Sequence, residues 1–416
     1  MIVVSAYACE PDKGSEPGVG WHWTKEIARN HKVMVITRKN NRESIEKELQ
    51  TNPDSNIEVL YYDPPKWLTF WKKGTRGVQL YYYIWQYGAY RKVADTVNMA
   101  EVEAVFGVTF GNMWKPTFMY KLDAPFIWGP VGGGEEVPVQ LLKQLSIKQR
   151  IFEFVRRLSK KFPITNPWLG TICKNSALIV TRTYDSLNCI PKKYHGKCKV
   201  MIETGVDEKE FLEYEHVGVT PSQSYELTYV GRLLSLKLVD MGIRAFSENL
   251  KNMPNLKLNI VGDGEMRKTL EELIRELGIQ ENVCFYGTKQ RKEALEILAR
   301  SRCLLMTSCK EGGAWVLFEA MMCGRPIICM DTAGMKVVVD SAAGIKVPVS
   351  DYDDMVHSFA KAIEFMFKNP HIADQYGFEG RKLVMDRYLW ARKGEQFETW
   401  LQEVKCKEYE DGAKQQ

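Results

Sequence analysis

The segment 303–332 is the part of the chain that most narrows the folds available to it. It reads CLLMTSCKEGGAWVLFEAMMCGRPIICMDT. An apolar run at 303–307 is followed by a polar loop with two glycines, an apolar stretch of helical length at 314–322, a Gly-Arg-Pro stop and a second apolar run at 327–330. This alternation predicts one strand–loop–helix–strand unit of an α/β sheet.

Two carboxylates in this unit are separated by seven residues. The pattern places Glu311 at the carboxyl end of the first strand and Glu319 inside the following helix. Ligands of open α/β sheets lie outside the carboxyl ends of the strands, and the amides of Gly312, Gly313 and Ala314 at a helix start suit a phosphate. A helix-dipole partner and a solvated helix residue would be the simpler interpretation of the two acids.

The same unit resembles the signature of retaining glycosyltransferases of the GT-B fold, especially family 4 (glycosyl transferases group 1), in which Glu, seven residues and Glu precede Gly-x-Pro. The resemblance implies that Glu311 contacts the donor sugar and Glu319 the ribose hydroxyls of a nucleotide diphosphate-sugar, with Gly312, Gly313 and Ala314 beside the donor. The fold that it implies is α/β GT-B, with two facing Rossmann-like domains, a cleft between them and a C-terminal helix crossing back to the N-terminal domain.

A second motif, GRLLSLK at 231–237, resembles the Gly-Arg-Leu-x-x-x-Lys element of the family. The resemblance gives Arg232 and Lys237 to the donor diphosphate and makes them, with Glu311, the predicted catalytic residues. Two cations suit this position because negative charge builds on the leaving diphosphate as the glycosidic bond breaks. Leu238 stands where the family usually has glycine, and Gly262 is a further predicted donor contact.

Near the amino terminus, GSEPGVGW at 14–21 resembles the loop that in this family lies beside the donor diphosphate and the acceptor. It implies donor contacts from Glu16 and Gly18. Glycines let a loop backbone approach a ligand closely, and the following helix is expected from about residue 21. The loop does not fit G-x-G-x-x-G, so a nicotinamide site is not predicted.

The acceptor region is the part in which the chain departs from the family. Relatives with a segment like GPVGGGE at 129–135 usually carry a histidine just before V-T-F-G, where this chain has Phe106 and Gly107. Lys115 and Glu135 are the polar candidates for the acceptor side.

The length of 416 residues suits two domains. The boundaries predicted are 1–205 for an acceptor-side domain, 206–385 for a nucleotide-sugar-binding domain and 386–416 for the returning helix and tail. The chain begins directly with a strand-like run and has no 18-residue apolar stretch, so neither a signal peptide nor a membrane span is expected. The ten cysteines form no C-x-x-C pair, which favours a reducing, cytoplasmic compartment and no zinc site.

Positive charge is concentrated in the amino half of the chain. Residues 1–205 hold 29 Lys and Arg against 19 Asp and Glu, while the remainder holds 28 against 33. Two segments there, 66–92 and 148–161, combine basic and aromatic or apolar residues, which is typical either of a core helix with a polar end or of a contact with an anionic membrane surface. Nucleic acid is not an expected partner because the net charge is modest and no binding module is recognisable.

The function predicted from these features is a retaining, metal-independent glycosyltransferase (hexosyltransferase) without a cofactor, for which the nucleotide diphosphate-sugar is a co-substrate. The acceptor would be a glycan or a lipid-linked molecule in surface polysaccharide or glycolipid synthesis, and the enzyme cytoplasmic, peripheral at the inner face of the membrane. Two alternatives stay open: a non-catalytic GT-B subunit that binds sugar or nucleotide, and a GT-B sugar-nucleotide epimerase. The sequence leaves open the sugar and the choice among UDP, GDP and ADP.

Overall fold

The computed structural model of the protein describes residues 1–74, 76–161, 167–214 and 224–413. The chain forms two compact units. The first contains the described parts of Met1–Gly134, Pro163–Gly205 and Trp390–Gln416, and the second those of Glu135–Phe162 and Val206–Leu389. The segment 135–162, expected in the amino-terminal domain, therefore groups with the second unit, where Glu153 is buried and paired with Lys310.

The strands are short and mostly buried. They are β1 (Ile2–Ser5), β2 (Val33–Thr37), β3 (Ile57–Tyr61), β4 (Ala104–Gly107), β5 (Phe126–Val131), β6 (Leu178–Thr181), β7 (Cys198–Val200), β8 (Glu226–Val230), β9 (Lys257–Val261), β10 (Val283–Gly287), β11 (Cys303–Met306), β12 (Ile327–Met330) and β13 (Gly344–Val347).

Helices alternate with these strands along the chain. They are α1 (Ser15–Ala28), α2 (Arg42–Thr51), α3 (Lys66–Thr69), α4 (Val78–Thr96), α5 (Ile147–Lys161), α6 (Leu169–Asn175), α7 (Tyr184–Cys189), α8 (Glu208–Glu213), α9 (Val239–Asn249), α10 (Arg267–Glu276), α11 (Arg291–Arg300), α12 (Trp315–Met322), α13 (Ala333–Val338), α14 (Tyr352–Lys368), α15 (Pro370–Leu383) and α16 (Trp390–Ala413).

Each unit is built on one parallel sheet. The order is β3-β2-β1-β4-β5-β6-β7 in the first unit and β10-β9-β8-β11-β12-β13 in the second. Helices pack on such sheets from both faces, so the central strands are near-continuous apolar runs such as IVVS in β1 and IICM in β12. In each sheet the strand order reverses once, between β1 and β4 or between β8 and β11, and ligands of this class of fold bind at that switch point.

The helix α1 begins earlier than the sequence indicated. It starts at Ser15, so most of the glycine-containing motif is helical and is not a loop before a helix at residue 21. A Cβ on Gly18 would lie 1.9 Å from the Lys13 carbonyl oxygen, and one on Gly20 would lie 2.2 Å from that of Ala8. These glycines therefore let the chain between β1 and α1 fold closely over the helix.

The aromatic-basic segment 66–92 divides into two parts. In α4, Tyr81, Tyr82 and Trp85 are buried in the core of the first unit. In and next to α3, Trp67 and Phe70 are 74% and 79% exposed. The core interpretation is thus right for the buried face of α4, which also exposes Tyr87, while the most exposed aromatics precede the helix.

The carboxyl-terminal helix α16 belongs to the first unit and packs on α1. Trp400 stacks with Trp23 of α1, with ring centroids 6.1 Å apart, and Phe397 contacts Phe106 of β4. Among the helices described, none combines the length and the apolar character needed to cross a membrane.

Candidate functional site

The candidate site of the second unit is formed where β8 and β11 end. After β8 the chain makes a 3-10 turn at Ser235–Lys237, and after β11 it enters the loop that carries Glu311. The Thr307 hydroxyl donates to the Lys237 carbonyl at 2.8 Å, and the Cys309 amide donates to the Leu236 carbonyl at 3.1 Å. These bonds tie the two strand ends together at the switch point of the sheet.

The side chains of Lys237 and Glu311 meet across this junction. Their ammonium and carboxylate groups form an ion pair, in which each side chain is about 15% exposed. The Ser308 hydroxyl donates a second hydrogen bond to the same Glu311 oxygen at 2.8 Å. Two residues 74 positions apart, both predicted to act on the donor, are thus held in direct contact.

Arg232 lies just after β8 in the same turn. The residue is exposed, and no ion pair engages its guanidinium within the part of the chain that the structure describes. Its carbonyl accepts a hydrogen bond from the buried Tyr229 hydroxyl at 3.2 Å. Burial, together with the negative charge of Glu311, raises the pKa of Tyr229, so this hydroxyl stays protonated and keeps donating. Arg232 is therefore exposed to solvent, while its backbone is held by the Tyr229 hydroxyl.

The residue after the turn has a left-handed backbone conformation. Leu238 has φ 46° and ψ 44° and lies between the 3-10 turn and α9. Glycine adopts this conformation freely, whereas any residue with a Cβ is strained in it. The Leu238 side chain is 1% exposed, so the same residue has a strained backbone and a buried side chain. The turn expected of a glycine is thus formed around leucine.

The second predicted carboxylate, Glu319 in α12, is engaged by an arginine. Arg291, at the start of α11, donates from Nε to Glu319 Oε1 at 2.7 Å and also pairs with Glu210. Burial raises the pKa of Glu319, and the charge of Arg291 opposes that shift. In this structure the Glu319 carboxylate therefore has a cationic partner, and its predicted contact with a ribose stays a prediction.

Glycines let backbone segments approach each other around the site. Gly262 has φ 133°, and a Cβ there would lie 2.0 Å from the Gly231 carbonyl oxygen. A Cβ on Gly334 would lie 2.4 Å from the carbonyl oxygen of Gly312 in the Glu311 loop. That loop is held by the Gly334 amide, which donates to the Glu311 carbonyl at 2.8 Å. Gly312, Gly313 and Ala314 then lead into α12.

A buried ion pair connects this loop to α5. Lys310 Nζ lies 2.6 Å from Glu153 Oε1, and the Glu153 side chain is 1% exposed. Arg156 lies 3.4 Å from the other oxygen of Glu153 and also donates to the Glu135 carbonyl. The acceptor-side candidate Glu135 is accordingly buried in the second unit, beside α5.

In the first unit, Glu16 is held by an arginine at the end of β6. Arg182 lies 3.3 Å from Glu16 and 3.1 Å from the buried Glu203. Burial raises the pKa of Glu203, and Arg182 lowers it. Glu16 thus belongs to a cluster of charged side chains at the carboxyl edge of the sheet. Gly18 lies inside α1, where the absence of a Cβ makes room for the Lys13 carbonyl.

The positions that lack the expected histidine are filled by core packing. Phe106 is fully buried between Trp23 and Phe397. A Cβ on Gly107 would lie 3.1 Å from the ring of Phe126, so a histidine there would displace that ring. Lys115, the other acceptor-side candidate, lies near these strand ends and lines a pocket with Gly107.

Sequence patterns did not identify several residues that complete the site. Arg291 meets Glu319, 28 residues away, only through the fold, and no sequence pattern marks it. Tyr229 lies three residues before Arg232, but its position in an apolar strand gives no sign that its hydroxyl is used. The hydroxyls of Thr307 and Ser308 had a usable signal, since both directly follow a buried strand. Within the described ranges, no group of three or more His, Cys, Asp or Glu side chains is arranged to hold a metal ion.

Three comparisons with known proteins bear on this site. Residues 212–383 match the family model for glycosyl transferases group 1. An uncharacterized glycosyltransferase of Methanocaldococcus jannaschii is 35% identical over 167 residues, which are 38% of this chain and 40% of that protein. A GDP-mannose-dependent alpha-(1-6)-phosphatidylinositol monomannoside mannosyltransferase of Mycolicibacterium smegmatis is 29% identical over 40% of this chain and 44% of its own length.

The matched region thus spans less than half of these curated relatives. In structure, the chain resembles Anabaena HepE, solved in complex with UDP, with a TM-score of 0.59, 14% identity, and coverage of 97% of this chain and 99% of that one. This likeness and the two parallel sheets confirm the predicted fold class. The chain has the α/β GT-B fold, and its residues 212–383 carry a domain that matches glycosyl transferases group 1.

Proposed function

We propose that this protein is a glycosyltransferase that moves a sugar from a nucleotide diphosphate-sugar to an acceptor. One observation carries the proposal: Lys237 and Glu311 form an ion pair at the switch point of the second sheet, where Arg232 follows β8, within the region that matches glycosyl transferases group 1. Two cations and a carboxylate at this edge suit a diphosphate joined to a sugar. The complex of Anabaena HepE with UDP supports a nucleotide diphosphate as part of the donor.

In the proposed reaction, Arg232 and Lys237 stabilise the negative charge that develops on the leaving diphosphate. Lys237 is already paired with Glu311, so donor binding would share this cation between the carboxylate and a phosphate oxygen. Glu311, fixed by Ser308, would orient the sugar hydroxyls. We propose that the configuration is retained, as the resemblance of the 303–332 unit to retaining glycosyltransferases implies. Because the sequence offers no carboxylate pair arranged as nucleophile and acid, we favour front-face substitution assisted by the leaving phosphate over a covalent intermediate.

The proposal is tested by replacing the two paired residues. We expect Lys237→Ala and Glu311→Gln each to lower turnover by about 10²–10³, the loss typical of removing one stabilising group from a transition state. Nucleotide release from UDP-, GDP- and ADP-sugars gives the assay and also identifies the base. Lys268→Ala, at an exposed position of α10, is the matched control. Full activity in either site variant, with unchanged melting temperature, would remove the assignment.

A metal is not part of this proposal. The cations that face the proposed diphosphate position come from the chain itself, which makes a divalent ion unnecessary for charge stabilisation. Donor turnover should therefore persist in excess EDTA. Loss of turnover in EDTA, restored by Mg²⁺ or Mn²⁺, would contradict this part of the proposal.

A non-catalytic binding subunit is the second candidate, and the packing around Phe106 and Gly107 favours it. Phe106 is packed in the core and Gly107 has no side chain, so the two positions where the family usually has a histidine supply no imidazole. An epimerase would share the donor contacts. Slow donor hydrolysis or transfer by the purified protein supports the first proposal, epimerised donor supports the epimerase, and nucleotide binding without turnover supports the subunit.

We further propose that the acceptor is lipid-linked or a growing surface glycan, and that the enzyme works at the cytoplasmic face of a membrane. The helix α5 supports this proposal because its large apolar side chains point to solvent while Glu153 is buried. These exposed side chains are Ile147, Ile151, Phe152, Phe154, Val155 and Leu158. Trp67 and Phe70 are exposed beside Lys66, Lys72 and Lys73, which suits an anionic lipid surface. The phosphatidylinositol monomannoside named for the mycobacterial relative is a lipid acceptor of this kind.

Vesicle co-sedimentation tests the membrane contact. Binding should rise with the fraction of anionic lipid, fall with salt and weaken when Lys72, Lys73 and Arg76 become Glu, because each cation near an anionic surface contributes about 1 kcal/mol. A control variant with the same charge change carries Lys25, Lys39 and Lys47→Glu, all exposed in the first unit. Equal loss in both variants would indicate a net-charge effect, and no binding of the wild type at low salt would make a soluble acceptor the better proposal.

A further inference from the structure

A narrow pocket lies at the carboxyl ends of β1, β4 and β5 in the first unit. Ser5, Gly107 and Trp128, one from each strand, line it together with Gln86 and Lys115. The strand order of this sheet reverses between β1 and β4, so the pocket lies at its switch point. Its volume is about 20 Å³, which admits about one water-sized group. A sugar ring cannot enter, but a single hydroxyl can.

The side chain of Gln86, one of the residues that line this pocket, carries an unsatisfied polar atom. The residue is 3% exposed, and its Nε2 donates to the Tyr82 hydroxyl at 2.7 Å. Its Oε1 is buried and has no hydrogen-bond partner among the residues that the structure describes. A buried amide oxygen without a partner is costly. A hydroxyl satisfies it with the amide in either orientation, because a hydroxyl both donates and accepts.

A second polar group of the pocket is a cation. Lys115 is partly exposed, and its ammonium group lies 5.4 Å from the centre of the Tyr83 ring. No carboxylate forms an ion pair with it in the described part of the chain. Burial lowers the pKa of Lys115. An anionic group at the pocket mouth would stabilise the charged form.

The pocket wall is held in one conformation by aromatic packing. Phe110 has φ 54°, in the left-handed region, and its ring stacks on Tyr82 with centroids 4.3 Å apart. Tyr7 contacts both rings edge-on, at 5.2 and 5.1 Å. Strain of this kind persists only where the surroundings determine the backbone, so Gln86 and its partner Tyr82 lie in a preformed wall.

We propose that this pocket binds one hydroxyl of an acceptor that carries an anionic group beside it. Gln86 Oε1 accepts the hydroxyl hydrogen, and Lys115 pairs with the anion at the pocket mouth. The chemical class is a sugar or polyol that bears a phosphate or a carboxylate. This inference rests on the proposed transferase function and narrows its acceptor.

Four probes test the inference by calorimetry or ligand-observed NMR without nucleotide: methyl glucoside, glucuronate, glucose 1-phosphate and inorganic phosphate. We expect the two anionic sugars to bind at least about tenfold more tightly than methyl glucoside, since each 1.4 kcal/mol changes affinity tenfold. The carboxylate and phosphate arms identify which anion is preferred. Lys115→Met should reduce both anionic sugars to the affinity of methyl glucoside, whereas Lys121→Met, at an exposed position in the same unit, should not.

Replacement of the amide separates the hydroxyl contact from the charge contact. Gln86→Leu should weaken all three sugars at least about tenfold and leave inorganic phosphate unchanged. Equal affinity for neutral and anionic sugars overturns the inference, and so does an absence of sugar binding, which would mean that the amide oxygen is satisfied by water. Binding of UDP, GDP and ADP, measured separately, tests the donor site. Binding of one of these nucleotides without binding of the acceptor probes contradicts only this inference, and no binding of any of the three contradicts the proposed function.

Discussion

The left-handed conformation of Leu238 allows an unusually direct test of the structure beside Lys237. The perturbation is a pair of variants, Leu238→Ala and Leu238→Gly. The side chain is 1% exposed, and removing a buried leucine side chain costs about 2–5 kcal/mol. The alanine variant keeps a Cβ at φ 46° and therefore keeps the strain, whereas glycine releases it. The glycine variant should accordingly be the more stable of the two by about 1 kcal/mol.

The order reverses at an ordinary helical site, which supplies the control. Leu270 in α10 is equally buried in the same unit, and there glycine should be less stable than alanine by about 1 kcal/mol. Thermal unfolding followed by circular dichroism or calorimetry measures both pairs. One kcal/mol corresponds to about 2–4 °C for a unit of this size. If Leu238→Ala melts at or above Leu238→Gly, the backbone at 238 is not left-handed and the account of this turn is wrong.

Three other perturbations test separate parts of the structure. Burial lowers the pKa of Lys393 to about 7, below the pKa near 10.4 that lysine has in an unfolded chain, so the free energy of unfolding should rise with pH between these two values. Lys393→Met should flatten this rise. If the melting temperatures of the wild type and the variant change with pH in the same way, the burial of Lys393 is contradicted. Gly334→Ala should displace the Glu311 loop and lower donor turnover. Gly170→Ala is the control, because a Cβ there meets open space. Equal turnover by the two variants would show that the loop tolerates the contact. Glu153→Gln should remove the carboxylate that pairs with Lys310 and cost about 3–5 kcal/mol in the free energy of unfolding. The double replacement with Lys310→Met should restore part of this loss, because Arg156 also contacts Glu153; additive losses would argue against a direct pair.

The alternation of apolar runs with glycine-containing loops was enough to predict the strands around the candidate site of the second unit. β12 has the bounds indicated by the sequence, and β11 and α12 differ by one residue at one end. This success has a physical reason: strands of a parallel sheet are buried on both faces, so each appears as an uninterrupted apolar run bounded by polar turns. The resemblance of their motifs to the family pointed to Arg232, Lys237 and Glu311, and the loops that carry these residues follow β8 and β11.

The start of α1 was missed because glycine and proline are expected to break helices. In the GSEPGVG motif the proline lies in the first turn of the helix, where it is tolerated, and the glycines are required by the chain that folds over them. Which face of α5 is buried is a second feature that the sequence did not predict. Its spacing predicts an amphipathic helix, but the face that is buried carries Glu153, paired with Lys310 from a loop 157 residues away.

The sequence by itself determined the fold class and the residues at the strand ends, because burial and turn chemistry are local in the chain. Only the tertiary structure decided which charges are paired. It joined Lys237 to Glu311 and Arg291 to Glu319, and it left the Gln86 amide oxygen buried in a pocket. These are contacts between residues far apart in the chain, set by how helices and strands pack, and no periodicity in the sequence encodes them.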